Sequence, residues 1–175
     1  MSGTIETADS VEARWGDGGA WITLRTNTIT KTFLDTLKDQ STGQHTLWVR
    51  NKNNISAYDS VGYVGVGDLF VVAGQSNASG RGTNNQTYSH PTLKASLFGN
   101  NYRWAELTDP TDTIIGQIDA VSNDGFETGG SLWPIIADSI MANYNIPVGF
   151  IPCAMGGTYL SSWLPEIDHL DHTTL

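Results

Sequence analysis

One serine stands out for what its neighbours allow it to do. Residues 67–82 read Gly-Asp-Leu-Phe-Val-Val-Ala-Gly-Gln-Ser-Asn-Ala-Ser-Gly-Arg-Gly. The apolar run at 69–73 has the length of a fully buried strand and is too short for a helix. It stops at Gly74, and Ser76 follows in a small polar turn. A strand ending in this way delivers a hydroxyl to the carboxyl edge of a sheet, where open α/β folds bind ligands. A helix starting at that point leaves the N–H of Ser76 and its successors facing outward, as an oxyanion requires. Ser76 is therefore a candidate nucleophile for acyl transfer. Gln75, Asn77 and Arg81 are candidate substrate contacts beside it. The Gly-x-Ser-x-Gly elbow of α/β hydrolases is not met, because Ala78 holds its last position. The competing reading of Ser76 is a turn serine that caps a short helix.

A second segment repeats the arrangement. Ser131 is placed to cap a helix and Pro134 sits in its first turn, where the missing N–H costs nothing. Leu132, Ile136 and Ile140 recur at helical spacing, with Trp133 and Met141 beside them, which predicts an amphipathic helix over 132–144. Residues 148–153 then read as another buried strand, with Cys153 as an inert buried thiol. It ends at Gly156-Gly157-Thr158. Helix, strand and glycine turn together form the repeating unit of a parallel sheet. Taken singly, Gly-Gly-Thr is a tight turn.

Together these blocks resemble the SGNH (GDSL-like) hydrolases. The strand running into Gly74-Gln75-Ser76-Asn77, and Gly156-Gly157-Thr158 followed by Trp163-Leu164-Pro165, are similar to the sialate O-acetylesterase and carbohydrate acetylesterase branch. The resemblance implies a flavodoxin-like, doubly wound parallel α/β sheet. It further implies a serine esterase that removes O-acetyl groups from carbohydrates. Ser76 would attack, and its N–H would share the oxyanion with that of Gly156, or of Gly157 as the fallback. Thr158 would cap the next helix and join the substrate contacts. No cofactor and no metal is implied.

A serine hydroxyl needs a base, and the base needs an orienting group. In that family both come from later blocks, and nothing after Pro165 matches them. Glu166-x-x-His169 copies the acid–x–x–His spacing, but it follows the second block by one turn instead of several strands; with His172 it reads as a polar tail. His45 falls in a strand-like run and His90 in a loop, neither with a reason to meet Ser76. The expectation is an N-terminal portion of a longer esterase, with two core strands present and the base supplied by residues outside this chain. The alternative is a non-catalytic glycan-binding or structural module, for example of a phage tail protein, that keeps the fold without the chemistry.

The rest of the chain must position these blocks. Its 175 residues suit one medium domain or two small ones. A net charge of −9 excludes a nucleic-acid backbone as a partner. No apolar stretch reaches membrane-spanning length, and the first residues lack a charged-then-apolar leader pattern. The resemblance implies acetylated carbohydrate as the partner, and the Thr-, Asn- and Ser-rich composition favours an extracellular or virion-associated setting. Residues 1–66 alternate in short runs (21–25, 28–33, 45–50 and 56–66) separated by turn clusters. This predicts a small antiparallel β-sandwich-like module, of immunoglobulin or jelly-roll type. Trp15, Trp21 and Trp48 are expected in its core, with a sugar platform as the lesser reading. Residues 67–175 form the hydrolase portion. Between its two blocks, 83–130 holds at most one strand, near 102–107, and a long loop that would wall a pocket bordered by Arg81, Asn123 and Trp133.

Overall fold

The computed structural model describes residues 1–5, 10–118 and 129–164. Two compact units divide the chain, Met1–Gly67 and Asp68–Leu175. Among the described residues no helix is long and apolar enough to cross a membrane.

The first unit is all β. Its strands are β1 (Ser2–Thr4), β2 (Val11–Trp15), β3 (Ile22–Thr23), β4 (Thr26–Asn27), β5 (Thr32–Leu34), β6 (Gly43–Asn51) and β7 (Tyr58–Val66). They pair antiparallel into a three-stranded sheet, β1-β5-β4, and a four-stranded sheet, β3-β2-β6-β7. Val11 and Ala13 from one sheet meet Phe33 from the other in a shared core, with Leu24, Leu47 and Val49 packed around them. β2 is the most buried strand of the unit, although the sequence reading passed over it. Its Val11, Ala13 and Trp15 alternate with Glu12 and Arg14.

That alternation corrects the expectation for two of the tryptophans. Trp15 shares the side of Val11 and Ala13 and meets His45 edge-on at 5.3 Å. Trp48 opposes Arg14 in the ladder, on the side of the sheet away from Leu47 and Val49. The Arg50 guanidinium lies 3.8 Å above the Trp21 ring, and that of Arg14 stands 4.8 Å from Trp21 and 5.4 Å from Trp48. Trp21 and Trp48 are therefore clad by cations on the outer face, a favourable contact for a ring quadrupole. Glu12 holds Arg50 in place through Oε2, at 3.1 Å to Nε and 2.9 Å to Nη2.

The second unit carries β8 (Asp68–Val72), α1 (Ser76–Ser79), β9 (Ser96–Phe98), β10 (Trp104–Glu106), α2 (Trp133–Tyr144) and β11 (Val148–Pro152), then a 3-10 turn, Leu160–Trp163. The sheet order is β10-β9-β11-β8. β8, β11 and β9 run parallel, and β10 returns antiparallel to β9. The middle of the chain thus holds two strands where the sequence reading allowed one at most. At three residues each, neither shows periodicity, and the turn between them reverses through Tyr102 at φ 56°. The parallel core correspondingly has three strands here, one more than expected.

One face of this sheet packs on α2. Val72, Val148 and Phe150 meet Ala137 and Met141, with Ile136, Ile140 and Trp133 alongside. Each large side chain buried there contributes about 1.5–3 kcal/mol. The other face is different. Leu69 and Val71 are 56% and 66% exposed, so β8 is not the fully buried strand its composition suggested. Trp104 lies over Gly149 beside Leu69 on that same face and is 52% exposed. The fold is a mixed, partly parallel α/β sheet with few helices.

Candidate active site

β8 and β11 are paired in register from Asp68 opposite Val148 to Val72 opposite Pro152. Their pairing continues past both strand ends. Cys153 N–H donates to the Val72 carbonyl at 2.8 Å, and Met155 N–H to the Gly74 carbonyl at 3.0 Å. The two glycine turns therefore leave the sheet side by side, with Ser76 two residues beyond Gly74 and Gly156 one residue beyond Met155. Cys153 lies just past the strand and is exposed, contrary to the buried thiol expected, because the backbone there has already left the packed layer.

Gly74 makes the turn possible. Its φ is 145°, a conformation that L side chains rarely adopt, and an added Cβ would meet the Ala78 methyl at 3.0 Å. Gln75 is the residue before α1, and its carbonyl accepts the N–H of Ala78 at 2.8 Å and of Ser79 at 3.0 Å. Ser76 and Asn77 open the helix, so their N–H groups precede its first internal bond. Ser76 is half-buried, while Gln75 and Asn77 are exposed.

A helix of four residues leaves its last carbonyls without internal partners, and here other segments supply them. The Trp133 indole N–H donates to the Ala78 carbonyl at 2.8 Å, and the buried Thr111 hydroxyl to the Ser79 carbonyl at 3.3 Å. Beyond Gly80, Gly82 and Gly130 exchange both backbone hydrogen bonds, at 2.8 and 2.9 Å. An added Cβ on Gly130 would lie 1.7 Å from the Asn84 carbonyl oxygen, so only glycine permits this approach. Asp109 ties the same junction together. Its carboxylate accepts the Ser131 hydroxyl at 2.6 Å, the Ser131 N–H at 2.9 Å and the Gln86 N–H at 2.7 Å. The Ser131 oxygen in turn accepts the Trp133 N–H at 3.3 Å, but α2 begins one residue later than expected, so Leu132 and not Ser131 stands at its N-cap position.

Of the other expected contacts, Arg81 donates to the Asp112 carboxylate at 3.0 Å, their side chains 16% and 5% exposed. Asp112 also accepts the Asn100 amide at 2.9 Å. The Thr158 hydroxyl donates to the Met155 carbonyl at 2.8 Å and accepts the Trp163 indole N–H at 3.2 Å. It closes the Gly156-Gly157 turn and does not cap the following 3-10 turn, which begins from Tyr159. Gly157 takes φ 76° and is exposed, while Gly156 is half-buried. Trp133, expected at a pocket border, sits beneath the elbow against Phe150 at 5.6 Å. Asn123, Glu166, His169 and His172 lie outside the described residues.

His90 Nδ1 accepts the N–H of Thr92 and of Leu93, at 3.4 and 3.0 Å, and so shapes its own loop. His45 belongs to β6 in the first unit. Among the described residues no histidine is hydrogen-bonded to Ser76. Sequence reasoning missed Asp109, Thr111 and Asp112 as supports, since 109–112 gave only a turn signal. Two groups of the second unit, Glu106 and Tyr88, are shifted from their ordinary pKa by each other and their surroundings. Glu106 is held below the usual carboxylate range, chiefly by its hydrogen bond with Lys94 and then by that with Tyr88. Burial, followed by the Glu106 bond, pushes the Tyr88 phenol up.

Comparisons with known proteins bear on the fold and the family. Among solved structures, a carbohydrate acetylesterase from Xanthomonas citri is similar over 98% of this chain and 40% of its own, at 14% identity and a TM-score of 0.50. A protein from Arabidopsis thaliana is similar over 55% of this chain and 44% of its own, at 23% identity and a TM-score of 0.40. The chain therefore spans less than half the length of these structures, and at 14% identity the likeness to the Xanthomonas structure speaks to fold alone. No curated protein matches it. Residues 66–174 match the family described as carbohydrate esterase, sialic acid-specific acetylesterase. That match takes in both glycine turns and more than half of the sequence, and the chain belongs to this family of carbohydrate esterases.

Proposed function

We propose that the protein is a serine esterase that removes O-acetyl groups from carbohydrate, with Ser76 as nucleophile. The hydrogen bond from Met155 N–H to the Gly74 carbonyl carries the reading, because it sets the turn bearing Ser76 beside the turn bearing Gly156. The Ser76 oxygen would attack the acetyl carbonyl carbon while a base takes its proton. The N–H groups of Ser76 and Gly156, with Gly157 as the alternative donor, would hold the resulting oxyanion. The bond to the sugar oxygen then breaks, and that oxygen leaves with the proton. Water attacks the acetyl-serine, releases acetate and restores the hydroxyl. Each oxyanion donor is worth about 3–4 kcal/mol of barrier.

The base would come from residues outside this chain. The exposed Leu69, Val71 and Trp104 support a sheet face that further chain covers, since a parallel sheet normally has both faces buried. Gln75, Asn77, Arg81 and Thr158 surround the turns as substrate contacts; Arg81 and Thr158 would act largely by shaping the rim, given the internal partners they hold. The test is acetate release by the full-length protein from 4-nitrophenyl acetate and from an O-acetylated sialoside. The expected result is turnover that Ser76→Ala abolishes. Equal rates for the two proteins would reject Ser76 as the nucleophile, and no turnover above background in either would leave a non-catalytic glycan-binding module as the reading.

A further inference from the structure

We infer that Trp133 and Thr111 are positioning residues that hold α1, and through it the Ser76 hydroxyl, at its place on the sheet edge; the catalytic consequence rests on the reading of Ser76 as nucleophile. A four-residue helix has almost no stability of its own, because nucleation fixes several residues for very few internal bonds. Its internal bonds here engage the carbonyls of Gln75 and Ser76. The carbonyls of Ala78 and Ser79 point the same way along the axis, past the last turn, where the helix supplies no further N–H to meet them. Two donors from distant parts of the sequence meet them, the Trp133 indole at 2.8 Å and the Thr111 hydroxyl at 3.3 Å.

Both donors are themselves fixed. Thr111 is 1% exposed and neighbours Asp112, which is paired with Arg81. The backbone N–H of Trp133 is bound by Ser131, which Asp109 holds, and its ring lies 5.6 Å from Phe150. Phe150 stands on β11 and stacks on Phe70 of β8 at 5.6 Å. Trp133 thus touches the helix that bears Ser76 and the strand that leads to Gly156. One side chain sets the spacing between the attacking oxygen and an oxyanion donor. Displacements of about 1 Å at such a site cost on the order of 100-fold in rate.

The experiment compares the full-length wild type with Trp133→Phe, which keeps a ring and removes the N–H. It adds Thr111→Val, which removes the hydroxyl at constant shape, and Thr111→Ser, which restores it. Three quantities are read: amide hydrogen exchange at residues 78–80, the second-order rate of labelling by a fluorophosphonate, and kcat and KM on 4-nitrophenyl acetate. Faster exchange at 78–80 is expected in Trp133→Phe and Thr111→Val. Labelling and kcat should fall about 10- to 100-fold in both with KM unchanged, and Thr111→Ser should recover most of the loss. Unchanged exchange together with wild-type labelling in both variants overturns the inference. A Ser76→Ala control that labels as fast as wild type rejects the nucleophile instead, and exchange at 78–80 then decides alone whether the two side chains hold the helix.

Discussion

Replacing Asp112 by alanine removes the carboxylate from a guanidinium that cannot give up its charge. The Arg81 and Asp112 side chains are 16% and 5% exposed, and their contact is 3.0 Å. Asp112→Ala also strips the Asn100 amide of an acceptor at 2.9 Å. Breaking one partner of a buried pair costs about 3–5 kcal/mol, because the remaining charge stays desolvated. For a unit of this size that corresponds to roughly 12–20 °C in Tm, at about 4 °C per kcal/mol. Calorimetry is the suitable assay, since the two units need not unfold together and a single optical probe would mix them. The double variant Arg81→Met with Asp112→Leu should be less destabilised than Asp112→Ala, as two apolar groups can replace a buried pair at little cost. Raising the salt from low concentration to about 1 M should leave the loss unchanged, because screening acts on exposed charges. A loss below about 1 kcal/mol, the range of surface pairs, would refute the claim that this pair is desolvated.

Three further outcomes follow from the packing of the second unit. Gly130→Ala should cost about 2–4 kcal/mol in denaturant unfolding, since its Cβ would fall 1.7 Å from the Asn84 carbonyl and the two bonds to Gly82 would open. Met141→Ala, at a side chain 0% exposed under the sheet, should cost about 2–5 kcal/mol in the same assay. Glu106→Gln should be mild, about 0–1 kcal/mol at pH 7, since the Lys94 and Glu106 side chains are 40% and 49% exposed. Its sign with pH is fixed: the lowered Glu106 pKa contributes stability above its unfolded value, and that contribution is lost as pH falls through the folded value. Wild type and Glu106→Gln should therefore converge in urea titrations as the pH falls below the folded value, itself under the ordinary carboxylate pKa near 4.3.

How much of this was legible beforehand follows from the range of each interaction. β8, α2 and β11 announce themselves locally, by an apolar run that breaks at glycine or by apolar residues at helical spacing. The elbow at Gly74–Ser76 was legible for the same reason, as was the order of the two glycine turns. β2 was passed over although Val11, Ala13 and Trp15 alternate with charges, because Ala and Glu are poor strand formers. β9 and β10 have three residues each, too few for a period to register. The exposure of Leu69 and Val71 was out of reach, since an apolar run says nothing about which faces are covered. Thr111 and Asp109 meet α1 and Ser131 only after the chain reverses several times, and no local pattern encodes that. Trp21 and Trp48 went to the outer face because cross-strand arginines clad them, a pairing set by register.

The most direct test of the central claim is mass spectrometry of the full-length protein after reaction with a fluorophosphonate ester. The expected result is one phosphonyl adduct per chain, mapped to the peptide that contains Ser76 and absent from Ser76→Ala. An adduct of equal yield in Ser76→Ala, or one mapped to another serine, would contradict the assignment of this hydroxyl as the nucleophile.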